Sequence, residues 1–137
     1  MSDTKTLYTA NVHVVGGREG SAKSSDGHLD IILSAPGGSG RGTNPEQLFA
    51  AGWSACFQGA MGHAARAKGV KLPDDLAIDA EVSLRHGEDG FSLAAHLHVS
   101  VSGLEPDVAR QLIDAAHRTC PYSKAIRGNI DAIVTLA

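Results

Sequence analysis

The chain has 137 residues, 42% of them hydrophobic and 20% charged, which suits a single soluble globular domain over residues 1–137 with a modest core. Net charge is −3 with neutral histidines, and Lys and Arg form no run, so no nucleic-acid footprint is present. No apolar stretch approaches the ~20 residues that span a bilayer, and the polar segment Met1 to Lys5 lacks the apolar core of a signal peptide. These features predict a cytoplasmic protein, where two cysteines point to transient redox chemistry more than to a structural staple.

In chain order, Leu7 to Val15 is rich in β-branched and aromatic residues and predicts a strand closed by Gly16-Gly17. A second strand follows Arg18, Asp26-Gly27 signals a hairpin, and Leu29 to Leu33 predicts a third strand. Pro36 to Gly42 is a glycine-rich loop without the Lys-Ser/Thr ending of a phosphate-binding loop. Asn44, Pro45 and Gln47 carry N-cap, first-turn and capping-box chemistry, so a helix starts there. From Leu48 to Ala67 nearly every residue is small or apolar, which predicts a helix buried on most sides. Gly52, Gly59 and Gly62 inside it allow a close approach or a bend, at roughly 1 kcal/mol each relative to alanine.

Lys71 to Asp75 is a connector. Ile78 to Leu84 and Phe91 to Val101 alternate as strands about a Gly87–Gly90 hairpin. Pro106 to Thr119 carries Val108, Leu112 and Ala115 on one helical stripe, with Pro121 ending the helix just beyond Cys120. Ile130 to Leu136 closes the chain as a strand. The order predicts an α+β fold.

Cys56 and Cys120 are too far apart in sequence for a CxxC motif or a zinc ribbon. A buried structural thiol is the plain reading of Cys56, and spacing alone does not bring the two sulfurs together. A reactive thiol needs a cation, for which Arg18, Arg66, Arg85, Arg127 and the histidines are candidates. Glu46 suits the first turn of a helix through the macrodipole alone. Ten residues separate it from Cys56, ~15 Å along a straight helix, so either the helix breaks near Gly52 or Glu46 serves a partner subunit. His63 stands ~10 Å beyond Cys56, too far for a Cys–His dyad. His96 and His98 share one strand face at metal-binding spacing, but the alternation turns that face toward water, and no metal is expected. His117 lies one turn before Cys120 as an exposed helix histidine.

GGREG at 16–20, TNPEQLFAAGWSACF at 43–57 and TCPYSKAIRGNI at 119–130 closely resemble the organic hydroperoxide resistance proteins of the OsmC/Ohr family, and LYTA at 7–10 and DGHLD at 26–30 also fit. The resemblance runs nearly end to end. It implies antiparallel sheets packed around a buried central helix in an intertwined homodimer, and a thiol peroxidase with no cofactor. It assigns peroxide attack to Cys56, resolution to Cys120, thiolate stabilisation to Arg18 and orientation of that arginine to Glu46. It also implies an organic hydroperoxide as substrate, and dihydrolipoamide or a lipoylated protein as reductant. Trp53 and Gln58 depart from the residues common in the family at those positions.

Overall fold

The computed structural model describes residues 3–137; Met1 and Ser2 of the polar N-terminal segment lie outside the described residues. The chain forms two compact units, one ending at Pro45 and one spanning Glu46–Ala137.

The first unit holds an antiparallel meander of β1 (Val12–Val15), β2 (Ser21–Ser24) and β3 (Asp30–Ile32). The strand expected from Leu7 begins only at Val12, because β2 supplies four partners, from Val12↔Ser24 to Val15↔Ser21. Side-chain pattern without a ladder partner makes no strand. Leu7 and Tyr8 stay largely exposed. Gly16 and Gly17 adopt φ of 76° and 58°, and a short 3-10 turn, Gly17–Glu19, carries Arg18. At the β2–β3 hairpin the Asp26 carboxylate accepts bonds from the Ser24 hydroxyl (2.6 Å) and the His28 N–H (3.0 Å). Both bonds hold its pKa below the usual aspartate range. The glycine-rich loop is tied at its base, where Gly42 N–H donates to Ser34 Oγ at 2.8 Å.

The second unit opens with α1, an unbroken helix over Pro45–Lys68. β4 (Ala77–Gly87) and β5 (Gly90–Ser100) form a long antiparallel hairpin, with Gly90 at φ 93° completing the expected turn. α2 (Pro106–Thr119) matches its expected span, and β6 (Asp131–Leu136) ends the chain. Two expectations are corrected here. Pro121 ends α2 but also begins a short helix, α3 (Pro121–Ile126), because proline is well suited to a first helical position. β6 pairs with β5 in parallel, so this sheet is mixed and not purely antiparallel. The cause is the connection, since α2 and α3 form a crossover that returns the chain to the starting end of β5.

Core and surface follow the two periods. Along β5 the inward residues Leu97 and Val99 are fully buried, and on α1 Trp53, Phe57 and Met61 are too. Leu112 and Ala116 complete the layer from α2. The expectation that α1 is buried on most sides is met on one flank only. Ala51, Ala55, Gly59 and Ala67, spaced by multiples of four, form an exposed stripe.

Truncation should separate the two faces. Leu97→Ala should lower unfolding free energy by about 2–5 kcal/mol, whereas Leu84→Ala, 47% exposed, should stay below ~1 kcal/mol. Denaturant titration of both variants checks this ordering.

Candidate active site

Cys56 lies on α1, one position before the buried anchor Phe57, and is half-buried. Cys120 is the junction residue between α2 and α3 and is fully buried. A residue before proline is driven out of the helical region toward extended backbone. Cys120 accordingly sits at φ −60°, ψ 122°, which turns the chain between the two helices. The result is that the Cys120 thiol donates to the Cys56 sulfur at a separation of 3.1 Å. Both are free thiols.

A second contact between the same helices holds this approach. Trp53 Nε1 donates to Ser123 Oγ at 3.0 Å, with both residues at 0% exposure. Trp53 stands three positions before Cys56, and Ser123 three after Cys120, so the bond clasps α1 to α3 beside the sulfurs. Gly52 explains the fit on the other side. A Cβ there would stand 3.3 Å from the Tyr122 ring, tighter than most real contacts, so the bare backbone is what admits the ring. The expected role of glycine as a close-approach residue holds at Gly52, whereas Gly59 faces open space. Nothing in the residue types taken singly marked Trp53, Tyr122 or Ser123 as site residues; the only signal was their place inside the two strings that contain the cysteines.

Burial pushes the Cys56 thiol above the ordinary cysteine range, the Tyr122 backbone N–H pulls it down, and neighbouring Cys120 adds a further upward push. Within its own unit the surroundings of Cys56 therefore favour the neutral thiol over the thiolate. The candidate cations of that unit are committed elsewhere. Arg66 donates to His63 Nδ1 (3.3 Å), Arg85 pairs with Asp131 (3.2 Å), and Arg127 donates to the His117 carbonyl (2.9 Å). His63 thus joins Arg66 and forms no dyad with Cys56. The His117 imidazole has a buried Nδ1 without a partner, and burial followed by the Arg127 charge pushes its pKa below the usual histidine range. Arg18 lies exposed on the 3-10 turn of the first unit, and Glu46 lies in the first turn of α1. Because α1 is unbroken, the option of a break near Gly52 is removed, and Glu46 is ~15 Å from Cys56 along the axis.

Cys56 also lines an open groove of about 610 Å³, walled by Gly59, Ala60, His63, Ala64, Ala67 and Ala115, with Thr119 and Pro121 at its α2–α3 side. Small apolar side chains set its character. Such a groove suits an apolar ligand, and one sulfur opens onto it.

Residues 37–135 match the family of OsmC-like proteins. The chain belongs to the OsmC family, in its organic hydroperoxide resistance branch. It is 49% identical to the organic hydroperoxide resistance protein of Xanthomonas axonopodis pv. citri, with 99% of each chain covered. It is 44% identical to OhrB of Bacillus subtilis, covering 95% of this chain and 98% of that one. The crystal structure of that OhrB superposes with a TM-score of 0.90 at 43% identity, covering 96% of this chain and all of the other. The organic hydroperoxide resistance protein of Legionella pneumophila also gives 0.90, at 44% identity, over 97% and 99% of the two chains. The family expected from the three sequence strings is therefore the family found, and so is the mixed helix–sheet fold.

The clasp between α1 and α3 in this OsmC-family fold is testable. Ser123→Ala should leave the buried Trp53 N–H unpaired and destabilise by about 1–3 kcal/mol. Closure of a Cys56–Cys120 disulfide by diamide should slow at the same time; an unchanged rate and stability would show that the clasp is dispensable.

Proposed function

We propose that this OsmC-family chain is a cysteine-based peroxidase that reduces organic hydroperoxides. The observation that carries this reading is a half-buried thiol, 3.1 Å from a second thiol, opening onto an apolar groove. Relatives named for organic hydroperoxide resistance support the substrate class. In the reaction the Cys56 thiolate attacks the distal peroxide oxygen, the O–O bond breaks, and the alkoxide takes a proton to leave as alcohol. Cys56 is left as a sulfenic acid. The Cys120 thiolate attacks that sulfur, hydroxide leaves as water, and a disulfide closes. A dithiol of the dihydrolipoamide type, free or on a lipoylated protein, then reduces the disulfide by exchange.

Burial works against ionisation of Cys56, so a cation must act there. We assign that role to Arg18, oriented by Glu46 through a charge-assisted pair, as the family resemblance implies. Residues 1–137 act as one OsmC/Ohr-type domain in a cytoplasmic, intertwined homodimer that needs no cofactor. Among the described residues no helix is long and apolar enough to cross a membrane. The exposed α1 stripe of Ala51, Ala55, Gly59 and Ala67, with exposed Leu7 and Tyr8, supports pairing with a second copy.

Cys56→Ser should abolish cumene hydroperoxide reduction, and Cys120→Ser should permit one turnover and stop at an oxidised thiol. One equivalent of hydroperoxide should consume two thiols per chain; an unchanged thiol count would favour a non-catalytic binding protein with the same groove. Arg18→Ala should raise the pH at which thiolate absorbance appears and cut the rate at neutral pH by about tenfold or more. Retention of the parent rate would sink the assignment of Arg18. Ala55→Arg should convert a sedimenting dimer into monomer, and a parent that sediments as a monomer contradicts the homodimer.

A further inference from the structure

We propose that Glu81, His96 and His98, on the outer face of the β4–β5–β6 sheet, bind a divalent transition-metal ion, with zinc as the best match. The backbone places them together. Glu81 stands directly opposite His96 in the β4–β5 register, and His98 follows two positions later on the same face. The two imidazoles stack with centroids 3.7 Å apart and planes 24° apart. His98 Nε2 lies 2.5 Å from a Glu81 carboxylate oxygen. One ligand atom from each of the three residues falls within 4.8 Å of the others. Two imidazole nitrogens and one carboxylate oxygen match zinc, copper, nickel or iron, whereas magnesium and calcium require mostly oxygen ligands. A tetrahedral ion bonded at ~2.1 Å separates its ligands by roughly 3.4 Å, so small side-chain rotations close the site.

Two further features fit a metal better than a simple His–Glu pair. The His96 Nε2 lies 2.8 Å from the Thr135 hydroxyl on β6, which fixes the ring as outer-shell partners of metal-bound histidines do. A depression of about 210 Å³ beside Glu81 and His96 leaves room for water in the open coordination positions. The site also stands apart from the thiols, because the residues alternating with His96 and His98, Leu97 and Val99, enter the core that contains Cys120. It therefore does not depend on the proposed peroxidase chemistry. Alternation along β5 turns both rings toward water and by itself suggests no metal. That alternation is correct, but alternation along one strand does not reveal that a carboxylate on the neighbouring strand converges on both rings.

Calorimetric titration with zinc chloride tests this on the tag-free, full-length Cys56→Ser/Cys120→Ser chain, in which thiols cannot compete. One saturable equivalent is expected, with no displacement by excess magnesium. His98→Ala and Glu81→Gln should each weaken binding by about tenfold or more, and Thr135→Val should weaken it by a smaller factor. Zinc should raise the melting temperature of the parent and leave that of His98→Ala unmoved. In the native-cysteine background His98→Ala should reduce hydroperoxide at the parent rate, so loss of metal and loss of peroxidase activity are distinguishable. Absence of a saturable equivalent, or equal zinc affinity in a folded His96→Ala/His98→Ala variant, overturns the proposal.

Discussion

The approach of two sulfurs to 3.1 Å is the constraint around which the second unit is arranged. Thiols have no strong attraction that would hold them there; S–H is a weak donor and sulfur a weak acceptor. The distance is enforced by the backbone instead. Pro121 removes the helical option for Cys120, so α2 must stop and the chain must turn where the thiol is. The Trp53–Ser123 bond then fixes α3 against α1. Its value lies less in its net energy than in the cost of losing it, because an unpaired indole N–H in a fully buried layer has no water to turn to. Geometry that favours disulfide closure is thus stored in the fold before any oxidant arrives.

That arrangement sets two requirements against each other. An apolar groove at Cys56 suits a hydrophobic substrate, yet desolvation by the same surroundings disfavours the thiolate. The Tyr122 N–H offsets part of this, as a backbone donor aimed at sulfur lowers the thiol without adding a bulky charge to the groove. A neutral donor stabilises an anion less than a full cation does. Three arginines of the second unit, Arg66, Arg85 and Arg127, are engaged with His63, Asp131 and the His117 carbonyl. The proposal that Arg18 supplies that cation rests on the family resemblance of the string that carries it.

Much of this was legible in the sequence wherever a local rule acts alone. Pro45 at a helix start, Asp26-Gly27 at a hairpin, and Pro106 to Thr119 as one amphipathic helix are set by local propensity and periodicity, and they fall where expected. What escaped depends on partners. β1 is shorter than its β-branched run because strand length is decided by the neighbouring strand. The parallel β6 follows from a crossover of two helices, and the second of these is hidden in sequence because a proline after a helix signals its end as readily as a new start. The cysteines, by contrast, were identifiable from the strings around them. Their separation was not, since it depends on where an α1 turn meets an α2–α3 junction.

The composition of α1 follows from the demands placed on its different sides. Three glycines cost roughly 1 kcal/mol each in helix propensity, and alanine contributes little by burial. The deficit is made good on the core flank, where Trp53, Phe57 and Met61 are fully buried at about 1.5–3 kcal/mol per large side chain. The remaining sides can then stay small. At Gly52 smallness admits Tyr122; along Ala60 and Ala64 it leaves the groove its volume; along Ala51, Ala55 and Gly59 it leaves a smooth stripe against which another helix can approach closely. Larger residues on those sides would raise helix propensity while filling the groove and pushing α3 away. Low side-chain volume, at some expense in intrinsic helix stability, is what lets a single helix carry the thiol and frame its pocket.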